Sequence, residues 1–538
     1  MSGDFLQVFD VIVVGGGAAG LRASIEAARM GARVAILSKA PIGYASSTLY
    51  AGGGFRAAFG KYSVERHFEE TILGGCFIND QELVRAMVLE APKRLLELRS
   101  FGVDLKLRDG GVYVEGPPLM TGLSLVGPLA DFARKLGVQF IDGYMALDLV
   151  VDDGVNGLIA LNTRSGEIEV FQCNAIVLAT GGYSQLFMRS DNPVRVTGDG
   201  CAMALRAGAK LIDMEFVQFF PLGLAEDGMP TWIFPAVQGK LVNALGEDVL
   251  EKHGIKTPLH IAAIKHRDLL SRVIWREIIE GRGVGESLII DLSRVAEGEV
   301  SRVLSSLASS LSIKLGIKMD KVRIAPLAHF TMGGIKVNVD CETGVPGLYA
   351  CGEVVGGVHG ANRLGGNALT EAVVFGARAG LSAAIFSMKR KARFNGQDLL
   401  VKYQRAIESF KRGTLDARQL KSELKRIMWY KCGVIRRGDE LIDAQSSIRE
   451  LRDKLNDVKA TKALDLIEVF ELRNMIEIAE LVVRAALMRC ESRGAHYRDD
   501  FVTMDNVNWL KRIVFQLIDG KLSVHLEPVI LKYITLKL

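Results

Sequence analysis

Three glycines near the N-terminus have the spacing of a phosphate-binding turn, Gly15-x-Gly17-x-x-Gly20. The apolar run Val11–Val14 precedes them and predicts a buried parallel strand, and an amphipathic helical pattern follows. Gly15 permits the tight turn, Gly17 lets the backbone approach a pyrophosphate, and Gly20 lets helix and strand pack closely. The free N–H groups at the start of the helix would face the phosphates. The pattern predicts a dinucleotide site, although a Gly-rich turn occurs in many α/β proteins.

The next predicted strand, Ala32–Leu37, indicates which dinucleotide would bind. Nicotinamide-dependent enzymes usually have an acid at the end of this strand, where it bonds to the adenosine ribose. This chain has Ser38 and Lys39 there, which favours a flavin nucleotide. The Gly- and hydroxyl-rich segment Ala45–Gly60 follows, and on its own it is equally compatible with a flexible connection.

Four later motifs are Gly-rich or polar and lie next to predicted strands and helices. They are Ala175–Gly182, Thr197–Gly200, Gly347–Glu353 and His359–Asn367. The second would open a helix at Cys201–Ala207, with Asp199 placed to cap it. The last precedes a helix predicted at Ala368–Ser387. Taken singly, each motif is only moderately specific.

Hydrophobic periodicity predicts the elements that position these motifs. Residues 64–100 have helical spacing. Strands are predicted at Val138–Ile141 and Ala146–Val151, and a hairpin at Gly157–Asn162 with Ile168–Cys173. Residues 224–325 mix short helices with a charged stretch, and we interpret them as an inserted cap domain. Residues 397–490 are almost purely helical in pattern, and the tail, residues 491–538, mixes short strands and turns.

Composition excludes several classes of function. The chain has 538 residues, 49% hydrophobic and 24% charged, enough for more than one globular domain. Its net charge of +5 comes without a basic stripe, so nucleic acid binding has no support. The seven cysteines form no Cys-x-x-Cys pair, so we expect no metal site, iron–sulfur cluster or disulfide framework within the chain.

The cellular location follows from similar arguments. The sequence contains neither a signal-peptide pattern nor an uninterrupted apolar stretch of about 18 residues. The scattered cysteines fit a reducing compartment. We therefore expect a cytoplasmic protein, peripheral on the cytoplasmic face of a membrane only if a partner attaches it.

Taken together and in this order, the motifs resemble those of one family over nearly the whole chain. It comprises the flavoprotein subunits of succinate dehydrogenase and fumarate reductase, with L-aspartate oxidase as a near relative. The residues that carry the resemblance are Gly15–Gly20, Ser47-Thr48 with Gly52-Gly53, Ala179–Gly182, Thr197–Gly200, Ala328–Gly334, Gly347–Glu353, His359–Asn367 and Glu491–His496. The span His359–Asn367 is the most specific of them.

The resemblance implies an α/β fold class with a Rossmann-like FAD-binding domain in two pieces. These pieces would be residues 1–217 and 329–394. An α+β cap domain, residues 218–328, would be inserted between them. A C-terminal helical domain, residues 395–490, and a tail, residues 491–538, would follow.

The resemblance also implies FAD as the cofactor and assigns its contacts. The pyrophosphate would meet Gly15, Gly16, Gly17, Ala18, Ala19 and Gly20; the adenosine would lie near Ser38 and Lys39; the isoalloxazine would be lined by Ser46, Ser47, Thr48, Gly52 and Gly53; further contacts would come from Thr180, Gly181, Asp199, Glu353 and Asn367. Glu353 is expected at the ribityl hydroxyls. Ala368 and Leu369, at a helix N-terminus, would stabilise negative charge at the N1–C2=O end of the flavin.

Three residues match the family's catalytic positions. His329 corresponds to a substrate-binding histidine, Arg363 to the arginine that grips a substrate carboxylate, and Arg267 to the arginine that shuttles a proton. The alternatives are a core histidine and two surface salt-bridge arginines. The implied mechanism is hydride exchange between a substrate carbon and flavin N5, with a guanidinium exchanging the neighbouring proton.

The chain departs from the family pattern at two places. Respiratory members attach FAD covalently through a histidine where this chain has Ser47, so we expect noncovalent FAD and harder removal of two electrons from succinate. Phe220 replaces a substrate-binding histidine, Leu222 a threonine and Trp232 a glutamate of the proton relay, next to Thr231. These changes predict a more apolar pocket, suited to an acid with one carboxylate and an apolar end.

Three hypotheses about function remain open at this stage. The first is an oxidoreductase of the succinate dehydrogenase/fumarate reductase type, acting on a dicarboxylate-like small molecule and exchanging electrons with an iron–sulfur protein subunit. The second is L-aspartate oxidase, which Ser47 favours and the tail from Glu491 opposes. The third is a flavin-bearing electron-transfer subunit without dicarboxylate turnover, which Phe220 and Trp232 favour.

Overall fold

The computed structural model describes residues 7–116, 121–225, 239–293, 321–393 and 396–536. The helices described are α1 (Ala18–Arg29), α2 (Val64–Gly74), α3 (Gln81–Ser100), α4 (Thr121–Lys135), α5 (Asp199–Arg206), α6 (Val249–Lys252), α7 (Leu259–Lys265), α8 (Arg267–Glu277), α9 (Asn367–Lys389), α10 (Gln397–Phe410), α11 (Ala417–Cys432), α12 (Gly438–Lys454), α13 (Ala463–Met488) and α14 (Asn506–Trp509).

The strands described lie in four sheets. They are β1 (Gln7–Val14), β2 (Val34–Ser38), β3 (Gly54–Arg56), β4 (Leu105–Arg108), β5 (Gly111–Val114), β6 (Gln139–Asp142), β7 (Tyr144–Val151), β8 (Val155–Asn162), β9 (Ile168–Leu178), β10 (Leu211–Ile212), β11 (Val217–Leu224), β12 (Lys240–Val242), β13 (Leu288–Asp291), β14 (Lys321–Thr331), β15 (Gly334–Ile335), β16 (Leu348–Ala350), β17 (Lys511–Ile518) and β18 (Lys521–Pro528).

The main sheet has the strand order β6-β2-β1-β9-β8-β7, and β16 pairs with the end of β9. The strands β6, β2, β1, β9 and β16 are parallel, whereas β8 and β7 run antiparallel. Residues Val11–Val14 of β1 are buried, as expected for a strand in the middle of a parallel sheet. The sheet therefore has the α/β character that the sequence predicts.

The strand β9 unites two elements that the sequence analysis treats as separate. Its first half forms the predicted hairpin with β8, and its second half is the predicted buried strand beside β1. Since residues 168–178 run on without a break, β9 is one strand of 11 residues. The same strand thus connects the antiparallel edge of the sheet to its parallel centre.

Helices α1 and α9 pack on the sheet and cross each other at glycines. A Cβ atom on Gly380 of α9 would lie 2.1 Å from the carbonyl oxygen of Ala23, and one on Gly376 would lie 2.7 Å from that of Ala19. Only glycine permits this close approach of two helix backbones. The α9 helix is long and apolar enough to cross a membrane, but most of it is buried within the protein.

A second sheet, β11-β14-β13-β12, lies in the region interpreted as the cap, together with α6, α7 and α8. The strand β14 runs from Lys321 to Thr331 and continues across the predicted domain boundary at residues 328 and 329. It therefore connects the cap sheet directly to His329.

The C-terminal region is helical from α10 to α13, as the periodicity predicts. Leu420, Leu424 and Met428 of α11 are buried, whereas Leu464 of α13 is exposed. The tail adds the hairpin β17–β18 to β10 and β15, which forms a four-stranded sheet. The sequence pattern contains no indication of this long-range pairing.

Candidate active site

A cavity of about 650 Å³ lies where the carboxyl ends of the parallel strands meet the start of α1. Residues at or just beyond the ends of four strands line it, namely Val14 and Gly15, Leu37 and Ser38, Ala179 and Thr180, and Cys351 to Glu353. Ligands of open α/β sheets bind at this edge because the strand order changes direction there. The cavity therefore has the position expected of a cofactor site.

The glycine motif shapes one end of the cavity. Gly15 has a φ of +114°, and a Cβ there would lie 2.2 Å from the carbonyl oxygen of Ala179. A Cβ on Gly20 would lie 2.0 Å from the carbonyl oxygen of Gly15. Gly17 precedes α1 without a capping side chain, so the first N–H groups of the helix are directed to the cavity, where one donates to Thr48 Oγ1. This is a site for a phosphate group.

Unsatisfied polar atoms support the fit of FAD to this cavity. Ser46 Oγ and Thr180 Oγ1 are buried and have no hydrogen-bond partner within the described ranges, and both residues line the cavity. The α9 helix also begins there without a capping side chain, and Ala368 and Leu369 lie at the cavity surface. A bound nucleotide with phosphates, hydroxyls and a polar ring edge would satisfy these donors.

Most of the cofactor residues expected from the resemblance line the cavity, and three do not. Those at its surface are Gly15, Gly16, Gly17, Ala18, Ala19, Ser38, Lys39, Ser46, Ser47, Thr48, Gly52, Thr180, Gly181, Asp199, Glu353, Ala368 and Leu369. Gly20, Gly53 and Asn367 lie behind this surface. The amide of Asn367 pairs with His67 Nε2 at 2.8 Å and Thr71 Oγ1 at 3.0 Å, so it fixes the start of α9.

Asp199 does not cap α5, so that expectation is wrong. The N-cap residue is Gly198, which has a φ of +83°, and Asp199 is the first residue of the helix. Its carboxylate instead accepts a hydrogen bond from Lys39 Nζ at 2.6 Å, and Lys39 also donates to Glu471 Oε1 at 2.7 Å. Burial alone would lower the pKa of Lys39, but these two carboxylates outweigh burial and raise it. A buried ion network thus borders the expected adenosine end.

The three candidate catalytic residues converge at the other end of the cavity. Arg267, His329 and Arg363 all line it, together with Phe220 and Phe330. Arg267 is the first residue of α8, and its Nη1 donates to Gln218 Oε1 at 2.8 Å. Its Nε is buried and has no partner among the described residues. Burial lowers the pKa of Arg267 to about 10.

Arg363 is the second guanidinium of this end, and its side chain is buried. It lies over the ring of Phe330, 4.7 Å from the centroid, and its Nε has no hydrogen-bond partner in the described part of the chain. Burial, and then the charge of Arg267, lower the pKa of Arg363 to about 9. Two cations whose Nε groups are buried and unpaired within the described residues favour binding of an anion, and a carboxylate matches the fork of a guanidinium.

His329 lies between these arginines and a carboxylate that the sequence analysis missed. Its Nδ1 is 2.6 Å from Asp191 Oδ2. Asn192 donates from Nδ2 to the His329 carbonyl at 2.9 Å. Asp191 and Asn192 belong to a loop that follows no periodic pattern, and the only signal was their position just before Thr197–Gly200.

The aromatic residue at the expected histidine position does face this end. The ring of Phe220 lies 5.7 Å from that of His329, and the guanidinium of Arg267 lies 5.7 Å from the Phe220 centroid. Leu222 is buried but is not at the cavity surface, so its expected contribution to the pocket is wrong. The reason is an irregularity of β11 between Phe220 and Gly223, which breaks the alternation of faces. Thr231 and Trp232 lie outside the described residues.

Glu353 and Ser47 complete the surroundings of the cavity. Glu353 Oε1 accepts from the backbone N–H of Thr331 at 3.1 Å, and burial raises the pKa of this carboxyl to about 7. Ser47 Oγ donates to Asn192 Oδ1 at 2.6 Å. The hydroxyl of Ser47 is thus engaged with the loop that supports His329.

Comparison with known families places these features in context. Residues 10–369 match the family described as "FAD binding domain", and residues 421–538 match "Fumarate reductase flavoprotein C-term". The chain is 35% identical over 520 residues to one subunit of the fumarate reductase (CoM/CoB) of Methanothermobacter marburgensis, covering 91% of this chain and 94% of that protein. It is 34% identical over 568 residues to the fumarate reductase flavoprotein subunit of Mycobacterium tuberculosis, covering 97% of each. An uncharacterised FAD-dependent oxidoreductase of Methanocaldococcus jannaschii is 37% identical over 511 residues, covering 91% and 93%.

Solved structures also resemble this chain over nearly its whole length. FrdA of E. coli quinol fumarate reductase superimposes with a TM-score of 0.90 at 29% identity over 98% of each chain. Sdh1 of Mycobacterium smegmatis superimposes with a TM-score of 0.86 at 30% identity over 97% of this chain and 94% of that one. An adenosine-5-phosphosulfate reductase shares the fold, with a TM-score of 0.80 at 18% identity. These matches confirm the fold class and FAD as the cofactor.

Proposed function

The chain belongs to the flavoprotein family of succinate dehydrogenase and fumarate reductase and is an FAD-dependent oxidoreductase, and we propose that its substrate is an acid with one carboxylate next to the reacting carbons. The observation that carries this proposal is the end of the cavity where Arg267, His329 and Arg363 face Phe220. Three basic groups favour a carboxylate, and the aromatic ring favours an apolar continuation of the substrate.

The proposed roles of the side chains follow from their positions. FAD, when bound, supplies two-electron hydride chemistry. Arg363 grips the carboxylate, and His329 donates to it from the imidazole edge. Arg267 exchanges a proton with the carbon next to the one that exchanges hydride, so that reduction of one C=C bond consumes two electrons and two protons. Phe220 excludes water from this end, which strengthens the electrostatic stabilisation of charge in the transition state.

The preference for a single carboxylate rests on Phe220. A second buried carboxylate at this position would lose its hydration without gaining a hydrogen bond, which costs several kcal/mol. An ester, alkyl or aryl group there would instead gain apolar contact. A plain dicarboxylate reductase is the second candidate, because three basic groups remain and the relatives reported above include named fumarate reductases.

We also propose that FAD is held without a covalent bond. Serine cannot form a histidyl–flavin linkage, and Ser47 Oγ is already bonded to Asn192. A serine at this position would also suit L-aspartate oxidase. The match of residues 421–538 to the family described as "Fumarate reductase flavoprotein C-term" instead supports an oxidoreductase of the succinate dehydrogenase/fumarate reductase type.

The electron partner and the location are proposed from the relatives. Similar proteins are named as subunits of fumarate reductase or as flavoprotein subunits of succinate dehydrogenase. We propose that the partner of this chain is an iron–sulfur subunit, and that the chain is cytoplasmic, at a membrane face that it reaches only through its partners. The domain boundaries at residues 217, 328, 394 and 490 likewise stay proposals.

A panel of substrates tests the function directly. Purified holoprotein is supplied with a reduced low-potential dye, and oxidation of the dye is followed with fumarate, fumarate monoesters, and alkyl and aryl acrylates. We expect the monoesters or substituted acrylates to give the highest kcat/KM. A Phe220→His variant should shift the preference towards fumarate. If fumarate is the best substrate of the wild-type protein by a wide margin, the second candidate replaces the first.

A further inference from the structure

We propose that Asp191 is a positioning residue of this site, which orients His329 through its Nδ1 and holds the imidazole ready to donate from Nε2 to the substrate carboxylate. The proposal rests on the proposed function of the cavity and adds a residue that the family resemblance does not assign. The supporting geometry is a set of hydrogen bonds around Asp191, Asn192 and His329.

Both oxygens of the Asp191 carboxylate are engaged. Oδ2 lies 2.6 Å from His329 Nδ1, and Oδ1 accepts from Asn192 Nδ2 at 3.2 Å. The side chain of Asp191 is only 6% exposed, so this carboxylate is shielded from water. Asn192 is held in turn by Ser47 Oγ, which donates to its Oδ1 at 2.6 Å. The carboxylate therefore has a fixed direction towards the imidazole.

The backbone of the loop is also attached to the strand that carries His329. The N–H of Asp191 donates to the carbonyl of Ala328, and the N–H of Ala328 donates to the carbonyl of Arg189 at 2.9 Å. Because Ala328 precedes His329 on β14, the loop and the histidine are held as one unit. A shift of the loop would move the imidazole with it.

This arrangement determines which nitrogen of His329 faces the substrate. An ionised carboxylate only accepts hydrogen bonds, so Nδ1 must carry a proton in either charge state of the ring. The described residues give Nε2 no hydrogen bond, and the His329 side chain keeps 27% of its surface exposed. Nε2 is therefore the nitrogen available to a ligand in the cavity.

The charges around His329 give Asp191 a second effect. Burial lowers the pKa of His329, and Arg363 and Arg267 lower it further, whereas Asp191 raises it through its charge and its hydrogen bond. The neighbouring Phe220 is uncharged, and the carboxyl of Glu353 is engaged with Thr331. Because Nδ1 carries a proton towards Asp191, Nε2 carries one only in the imidazolium, and without Asp191 the cationic surroundings would favour the neutral ring and remove this charged donor.

The test uses the FAD-loaded full chain with the substitutions Asp191→Asn and Asp191→Glu, and Asp131→Asn as a matched control. Asp131 is an exposed residue of α4, with 71% of its side-chain surface accessible. Two quantities are measured: the titration of His329 by ¹⁵N NMR of histidine-labelled protein, assigned with His329→Gln, and the pH profile of kcat/KM with the best acid of the panel. Melting temperatures check that each variant is folded.

We expect Asp191→Asn to shift the His329 titration to lower pH. The side chain acts in its protonated form, so the alkaline limb of the kcat/KM profile should move to lower pH as well. At pH 8 the loss should be about 10- to 100-fold. Asp191→Glu keeps a carboxylate, so its His329 titration and its alkaline limb of kcat/KM should lie between those of Asp191→Asn and wild type. Asp131→Asn should change neither the titration nor the profile.

Two results would overturn the proposal. One is a His329 titration that is the same in Asp191→Asn and wild-type protein. The other is a shifted titration with an alkaline limb that stays in place, which would limit Asp191 to a structural role. Failure of the proposed function would be seen separately, as a wild-type protein that turns over no acid of the panel. The NMR titration of His329 in wild type and in Asp191→Asn would still show whether Asp191 acts on the imidazole.

Discussion

Arg363 is the residue whose loss should affect turnover most. Its guanidinium is buried over Phe330, and its Nε lacks a partner within the described ranges, so a substrate carboxylate would supply the missing hydrogen bonds. We expect Arg363→Ala to lower kcat/KM by about 30-fold or more, because losing a buried charged pair costs about 2–5 kcal/mol. FAD should stay bound, since the N–H groups expected to hold its pyrophosphate belong to the Gly15–Gly20 turn and not to Arg363. The flavin absorbance per chain and steady-state kinetics measure the two quantities.

An arginine at the protein surface provides the control for this variant. Arg134 of α4 has about half of its side-chain surface exposed, pairs with Asp131 and lies over the ring of Phe140. Arg134→Ala should leave kcat/KM unchanged. Wild-type kinetics in Arg363→Ala would remove this residue from the site.

Ser47 carries a prediction about the cofactor. Its hydroxyl donates to Asn192, and serine offers no imidazole nitrogen to the flavin. Precipitation with acid should therefore release all of the yellow colour into the supernatant, in the wild-type protein and in Ser47→Ala alike. Colour that stays with the denatured polypeptide would contradict noncovalent binding.

The sequence motifs predicted single residues better than contacts between them. His329 and Arg363 lie within the motifs Ala328–Gly334 and His359–Asn367, and the structure places both at one cavity with Arg267, whereas the catalytic roles of the three stay proposals. Asp191 could not be predicted, because its partner is 138 residues away and the loop has no period that predicts where it packs. Leu222 was misplaced for a related reason, since a bulge in β11 changes the face without changing the sequence pattern.

The crossing of α1 and α9 determines where both helix N-termini meet the cofactor. Gly380 lies where a Cβ would be 2.1 Å from a backbone oxygen of α1, so Gly380→Ala must separate the helices. We expect a loss of stability of about 1–3 kcal/mol and a weaker hold on FAD, because backbone atoms cannot move aside as side chains do. Thermal melting and dialysis against FAD-free buffer measure these effects.

The same substitution at a roomier helix position is the matched control. Gly74 also lies in a helix, α2, and a Cβ there would come no closer than 3.9 Å to the side chain of Leu364. Gly74→Ala should be neutral or stabilise by up to about 1 kcal/mol, since alanine is the better helix former. Equal melting temperatures for the two variants would mean that the α1–α9 crossing adapts to a larger residue.

At the level of elements, local pattern succeeded for several elements with local pairing and missed others, such as the β4–β5 hairpin. The β8–β9 hairpin, α1, α9 and the helices from α11 to α13 all follow from period and turn residues. The union of hairpin and buried strand in β9 was not predicted, because a strand can change partners along its length without any break in its pattern. The pairing of the tail hairpin with β10 joins residues about 300 positions apart, which periodicity does not predict.

At the scale of the whole molecule, buried charges connect the cofactor region to the C-terminal helices. Glu471 of α13 is 1% exposed and bonds to Lys39, Lys421 and Arg195. Lys39 bonds also to Asp199 at the cavity, so a single network joins residues more than 400 positions apart. The helical pattern of residues 397–490 predicted where these helices lie, but it did not predict this connection.

Glu471 should therefore stabilise the whole chain in a pH-dependent manner. Burial would raise its pKa, but Lys39, Lys421 and Arg195 outweigh burial and lower the pKa to about 2. Since the pKa is depressed in the folded state, the stabilisation is fully present above the unfolded value, about 4.3, and is lost as pH falls towards 2. Glu471→Gln at pH 7 leaves Lys39 partly unpaired and should cost about 3–5 kcal/mol.

The measurement is the melting temperature of the FAD-loaded protein at pH 7 and at pH 3.5, for wild type, Glu471→Gln and the exposed control Glu408→Gln. The difference between wild type and Glu471→Gln should be large at pH 7 and smaller at pH 3.5, because at pH 3.5 the unfolded chain binds a proton at Glu471 while the folded carboxyl, with its pKa of about 2, stays ionised. Glu408 is 67% exposed in α10 and pairs with the exposed Lys411, so its substitution should change neither value. A Glu471→Gln difference that is equal at both pH values would show that the side chain acts through packing and not through its charge.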